Sequence, residues 1–249
     1  MPSKSHDKLL ADHQPRAIHR RLGTPLRASV LPDTVLGAID GCVTTFAVVS
    51  GAFGAGFSPQ VALVLGFANL LADGFSMGVS NYESGQAQLS RIASLDRTER
   101  EHIALVPEGE REEIRQLFRA KGFEGELLEQ VVDTLCSDHD VWVKTMLREE
   151  HGVSADGLSP GRSALATFTA FIVVGAIPLI PYALALQVTT QFLISLSLAG
   201  VIFLTIGMVK SLVYRLSPWR SGLRTLLMGG AAASLAFATG TLADLLLNG

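Results

Sequence analysis

Charge is scarce in this sequence. Only 17% of its 249 residues are Asp, Glu, Lys or Arg, against about a quarter in a soluble domain. The deficit is concentrated in five blocks, which points to a membrane protein. Cysteine is scarcer still: Cys42 and Cys136 stand far apart and make no Cys-x-x-Cys pair. No disulfide framework or zinc site follows from them. The net charge of −3 carries no basic excess, so nothing points to nucleic acid. The first 30 residues are polar and basic, with no apolar core and no cleavage pattern, so no secretory signal peptide is expected. His6, His13 and His19 lie there at irregular spacing. They suit a disordered cytosolic tail better than a metal site.

What is present is long apolar sequence, with mean hydropathy +0.36. A spanning helix needs roughly 20 mostly apolar residues. Five segments qualify, at approximately 34–55, 60–82, 164–186, 189–210 and 224–246. The turns "GAGFSPQ" and "ALQVTTQ" hold no Lys or Arg. The N-terminal tail holds Lys8, Arg16, Arg20, Arg21 and Arg27, and the loop before the fifth span holds Lys210, Arg215, Arg220 and Arg224. Positive charge collects on the cytoplasmic side. The N-terminus and the long segment between spans two and three are therefore expected in the cytoplasm, and the C-terminus outside. Gly37 and Gly41 in "GAIDG", and Gly74 and Gly78 in "GFSMG", are four apart. Small residues at that spacing let helices approach closely in lipid. The first two spans are expected to pack tightly, on each other or on a second subunit. Pro178 and Pro181 in "GAIPLIPY" each lack a backbone donor, so the third span is expected to kink or break there.

The apolar blocks carry two acids. Asp40 lies in span one and Asp73 in span two, and neither span has a Lys or Arg to pair with them. An ionisable group inside a membrane is expensive and is kept for a cavity, a partner or an ion path. Asn69, Asp73, Met77 and Asn81 repeat every fourth residue and form one polar stripe. Asp40 and Thr44 start another. These stripes face each other or a subunit partner and line a wet path. Oxygen donors alone suit magnesium or calcium, and an added thioether favours a softer transition ion. Met77 taken alone is a gap-filler, and Cys42 reads as packing.

Between spans two and three, residues 85–160 hold most of the acidic side chains and read as three helices. The first continues out of span two to about Ala104. The second starts near Glu108 and stops at "KGF". The third runs from about Glu126 to Glu150, with "CSDHD" as the place where it could break. Ile114, Leu117 and Phe118 make one apolar face, and Val131, Val132 and Leu135 another. Glu99 with His102, Glu110 with Glu113, and Met146 with Glu150 fall at helical spacing on one side of each helix. Glutamates and Glu-x-x-His on facing helices build carboxylate metal sites. Spacing alone favours the blander reading of solvated faces partnered by Arg97, Arg100 and Arg111.

Together these residues resemble the vacuolar iron transporter family. "GAIDG" looks like its first-span Asp-Gly signature, "GFANLLADGFSMGVSNYES" like its second-span motif, and "GAIPLIPY" like its third-span motif. "ERE…EGEREEI…WVKTMLREE" looks like its cytoplasmic metal-binding insert. The resemblance runs from about residue 30 to the C-terminus. It implies a homodimer that moves Fe²⁺ out of the cytosol in exchange for protons. Asp40 and Met77 match path-lining positions of the family. Glu99, His102, Glu110, Glu113, Met146 and Glu150 match the insert's metal ligands. Asn69 stands in place of a path glutamate, His102 in place of a glutamate and Leu147 in place of a second methionine. Glu101 and Glu149 are neighbours that could substitute as ligands.

The expectation is an all-α polytopic membrane protein with five transmembrane helices and a cytoplasmic three-helix insert. Its segments are a tail (1–30), spans one and two (31–84), the insert (85–160) and spans three to five (161–249). It is read as a transporter of a bacterial-type inner membrane, not an enzyme. Its path is Asp40, Asn69, Asp73 and Met77. Its insert ligands are Glu99, His102, Glu110, Glu113, Met146, Glu149 and Glu150. No permanently bound cofactor is expected. Mn²⁺ export, or a membrane-anchored iron-binding or ferroxidase role, are the alternatives.

Overall fold

The computed structural model describes residues 6–23, 29–214 and 217–248. Arg27 and Arg215, counted above in the charge pattern, lie outside the described residues. Every regular element among the described residues is helical. In order these are α1 (His6–Asp12), α2 (Pro15–Leu22), α3 (Leu31–Gly54), α4 (Pro59–Leu105), α5 (Pro107–Ala120), α6 (Gly125–Cys136), α7 (His139–Glu149), α8 (Pro160–Gly175), a 3₁₀ segment (Ile177–Ala183), α9 (Val188–Tyr214) and α10 (Pro218–Asn248). Five are long and apolar enough to cross a membrane, and the chain is an all-α polytopic membrane protein. Proline stands in the first turn of α3, α4, α8 and α10, where its missing N–H would have had no helical partner. The segment expected as an irregular tail instead forms the two short helices α1 and α2. No residue of α2 is buried, so that correction adds no core.

The chain divides into two compact units. One comprises Ser29–Ser84 and Ser159–Gly249 and contains the spans. Its centre is α3, which buries Cys42, Phe46 and Val49 among Leu70, Phe171, Leu179 and Phe203. Gly37 and Gly41 are buried against α8. A Cβ on Gly37 would stand 2.2 Å from the Thr167 carbonyl oxygen, and one on Gly41 2.4 Å from that of Phe171. Gly74 and Gly78 face the same helix, through Phe171, Ile172 and Phe168. The small-residue pairs of spans one and two therefore seat both spans on span three. Gly41→Leu is expected to destabilise by about 3 kcal/mol or more, because the obstructing atoms are backbone and cannot rotate away. Loss of the monodisperse peak in gel filtration, or a thermal midpoint several degrees lower, is the readout.

Span three breaks where its prolines require it. Its α-helix ends at Gly175, and Pro178 and Pro181 fall in the 3₁₀ segment. Backbone carbonyls released by such a break must find donors inside a membrane. Ser195 Oγ donates to the Pro178 carbonyl at 2.7 Å, and Gln191 Nε2 to that of Leu184 at 2.8 Å. Polar residues of α9 thus complete the broken helix.

The other unit contains Gly85–Leu158. Helix α4 is 47 residues long, about 70 Å at 1.5 Å per residue. A hydrocarbon core is about 30 Å thick, so one unbroken helix carries both a span and a long polar extension. The extension, α5, α6 and α7 enclose Ile103, Ile114, Leu128, Val132, Trp142, Val143, Met146 and Leu147. Leu117, Phe118 and Leu135 pack on this core, while Val131 is only half-buried. The insert holds four helical segments rather than three. The expected third helix divides at "CSDHD", where the Asp138 carboxylate accepts from the backbone N–H groups of Asp140 and Val141. That cap starts a new helix.

Candidate functional site

In the insert, Glu99 and His102 sit one turn apart on α4, and Glu110 and Glu113 one turn apart on α5. Glu150 and His151 follow the last turn of α7. Gly152 takes φ +63°, a left-handed conformation that glycine adopts without a side-chain penalty. The chain folds back on the helix end, with His151 N–H donating to the Met146 carbonyl and Val153 N–H to that of Leu147. This turn brings His151 Nε2 to 2.8 Å from Glu99 Oε1 and 3.7 Å from Glu150 Oε2. One ligand atom from each of Glu99, Glu150 and His151 lies within 4.8 Å of the others. His102 Nδ1 lies 3.3 Å from Glu110 Oε1.

Glu99 and Glu110 are each only 3% exposed. Each keeps one oxygen, Oε2, buried without a hydrogen-bond partner among the described residues. Two of the three arginines named above as partners are engaged elsewhere: Arg100 with Asp96 and Asp140, and Arg111 with Asp133. Burial first, then the charges of Glu113, Glu99 and Glu150 with His102 opposing, push the Glu110 carboxyl up to about 7. Burial likewise raises Glu150, with His151 pulling down and Glu113 and Glu99 pushing up. Buried carboxylates with no matching cation are costly. Protons relieve that cost at low pH, and a divalent ion would relieve it at higher pH.

The remaining insert residues fall elsewhere. Met146 is fully buried, in the same apolar cluster as Leu147. Glu149 forms an ion pair with Lys121 and does not join the cluster. Glu101 is exposed. His151 was missed by the sequence reading, and "EHG" was its signal: a histidine just before a helix-ending glycine turns back over its own helix.

In the span unit, Asp40 on α3 lines a cavity of about 660 Å³. Lys210, Arg220 and Arg224, from α9 and α10, line it too, although none forms an ion pair with Asp40. Asp73 is exposed on the single chain. The other stripe residues differ in surroundings. Met77 packs against the apolar core. Asn69 is half-buried, and its amide nitrogen has no hydrogen-bond partner among the described residues. Asn81 Nδ2 donates to Asp33 Oδ1 at 2.9 Å and to Thr167 Oγ1 at 2.6 Å, tying α3, α4 and α8 together.

Comparison with known proteins adds to this geometry. The sequence is 28% identical over 240 residues to the "Vacuolar iron transporter" of Toxoplasma gondii, covering 92% of this chain and 80% of that protein. It is 28% identical over 211 residues to "Vacuolar iron transporter 1" of Arabidopsis thaliana, covering 84% of each. The "Vacuolar iron transporter" of Plasmodium berghei is 28% identical over 222 residues, covering 85% of this chain and 81% of that protein. The sequence profile of the VIT family matches residues 31–241, which takes in four spans, most of the fifth and the whole insert. The chain belongs to the VIT family.

Proposed function

We propose that this chain is a proton-coupled exporter that moves Fe²⁺ out of the cytosol, with the carboxylate-rich insert gathering the ion. The observation that carries this is the pair of buried acids, Glu99 and Glu110, each with an unpartnered oxygen and joined by Glu113, Glu150, His102 and His151. Carboxylate and imidazole ligands must be deprotonated to bind metal, so the same groups exchange protons for the ion. In the span unit the ion moves along Asp40 and Met77, with Asn69 and Asp73 on the same helix as Met77. The relatives named as iron transporters support Fe²⁺ as cargo.

The functional unit is a homodimer. Asp73 stands on a helix face with Ser76 and Ser80, all exposed on the single chain. An acid facing lipid is far costlier than one facing a partner or a wet path. The membrane is a bacterial-type inner membrane, and the distribution of Lys and Arg supports a cytoplasmic N-terminus and insert with the C-terminus outside.

The test is Fe²⁺ flux into proteoliposomes under an imposed pH gradient. Flux that rises with the gradient and collapses with a protonophore is expected. Gradient-independent flux sinks the proton coupling. No flux, with Fe²⁺ oxidation by the protein, favours the anchored ferroxidase reading. Mn²⁺ is the second candidate cargo. The carboxylates and imidazoles of the insert cluster are oxygen and nitrogen donors, which Mn²⁺ also accepts. Competition of Mn²⁺ against Fe²⁺ in the same vesicles separates the two.

A further inference from the structure

Three cations stand around the cavity that Asp40 lines. Lys210, Arg220 and Arg224 line about 660 Å³ between α3, α9 and α10 with one opposing acid, Asp40. None of the three makes an ion pair or a side-chain hydrogen bond among the described residues. Unpaired basic groups gathered on one cavity recognise an anion. The cavity shares Arg220, Arg224 and Met228 with a second hollow of about 430 Å³, which continues along α10 past Leu223 and Leu227 to Ala231. Leu223, Leu227 and Met228 are all exposed on the chain surface. A charged head pocket that runs into an apolar groove fits a molecule with an anionic head and a hydrocarbon tail. Trp219, 73% exposed beside Arg220, is the residue type that settles at the headgroup level of a bilayer.

We propose that this cavity and groove bind one anionic phospholipid, its phosphate held by Lys210, Arg220 and Arg224 and an acyl chain laid along α10 over Leu223, Leu227 and Ala231. A free phosphate would use the head pocket but not the groove. A second copy of the chain would cover the groove without requiring the cations. The site stands whether or not Fe²⁺ is the cargo, because its test reads lipid binding and not flux.

The experiment is native mass spectrometry and thermal denaturation of the purified full chain in neutral detergent, with phosphatidylglycerol, phosphatidylcholine or inorganic phosphate added. Phosphatidylglycerol is expected to bind and stabilise at concentrations lower by roughly tenfold or more than phosphatidylcholine, since each basic group near an anionic head contributes severalfold. Inorganic phosphate is expected not to displace it. Arg220→Gln with Arg224→Gln should abolish the preference, and Arg220→Lys with Arg224→Lys should keep most of it. Ala231→Trp, which fills the groove and leaves the charges alone, should weaken phosphatidylglycerol binding. If the double Gln variant does not fold, the Lys pair and Ala231→Trp decide. Equal binding of the two lipids by the parent overturns the proposal, as does a preference that survives the double Gln variant. So does displacement by millimolar phosphate. A change of oligomeric state in Ala231→Trp with lipid binding intact would make the groove a contact between copies and overturn it as well.

Discussion

Asp40→Asn is expected to cut Fe²⁺ flux in proteoliposomes by about a hundredfold, equivalent to about 2.7 kcal/mol at the barrier. The substitution keeps the side chain's size and hydrogen-bonding capacity and removes only the titratable charge. In the cavity it shares with Lys210, Arg220 and Arg224, Asp40 is the one negative group among the described residues. Without it a divalent cation would enter a field of three positive charges and no opposing one. Met77 calls for a different substitution, because the structure packs it against the apolar core while the proposed path needs its sulfur. Met77→Ala would confound a lost ligand with a cavity. Met77→Leu preserves volume and costs little in packing, so any fall in flux belongs to the thioether. A fall of about tenfold is expected, with thermal stability close to the parent's. If Asp40→Asn and Met77→Leu both carry Fe²⁺ at the parent's rate, these residues do not line the path.

The parts of the molecule that follow from local chemistry were readable from the sequence. Five apolar runs, prolines in first turns and the two prolines of "GAIPLIPY" define spans and a break without any knowledge of neighbours. Contacts between elements were not readable. The spacing of Gly37 and Gly41 announces a close approach but says nothing of which helix arrives, and α8 is the answer. The Lys and Arg residues of the last loop read as a topology signal, whereas their nearness to Asp40 depends on how α3, α9 and α10 assemble. Glu149 and Glu150 are adjacent letters, yet one residue turns a helix by about 100°. One therefore meets Lys121 while the other meets His151 and the acid cluster. The break at "CSDHD" was readable as a place where the third helix could divide, and the Asp138 cap decides it.

Glu110 provides the second large effect, and its sign is unusual. Its carboxyl is pushed up to about 7 in the folded chain, against about 4.3 for an unperturbed glutamate. The folded state therefore holds a proton that the unfolded state releases between these values. The resulting stabilisation is fully present below the unfolded value and is lost as pH rises through about 7. The metal-free insert is expected to be more stable at pH 5 than at pH 8, by about 2 kcal/mol. Glu150, raised by the same burial, adds in the same direction. Metal reverses the trend, because a divalent ion binds the deprotonated cluster and competes with protons. Mn²⁺, or Fe²⁺ under anaerobic conditions, should raise the unfolding midpoint strongly at pH 8 and hardly at pH 5. Trp142, buried in the insert core, reports this unfolding by fluorescence in a Trp219→Phe background. Glu110→Gln should flatten the metal-free pH dependence, stabilise the metal-free protein at pH 8 and weaken metal stabilisation there. Glu149→Gln should change neither, since that side chain is paired with Lys121. A metal-free insert that gains stability from pH 5 to pH 8, or a Glu110→Gln protein that binds Mn²⁺ as tightly as the parent, would show that these acids are solvated residues and not a metal-gathering cluster.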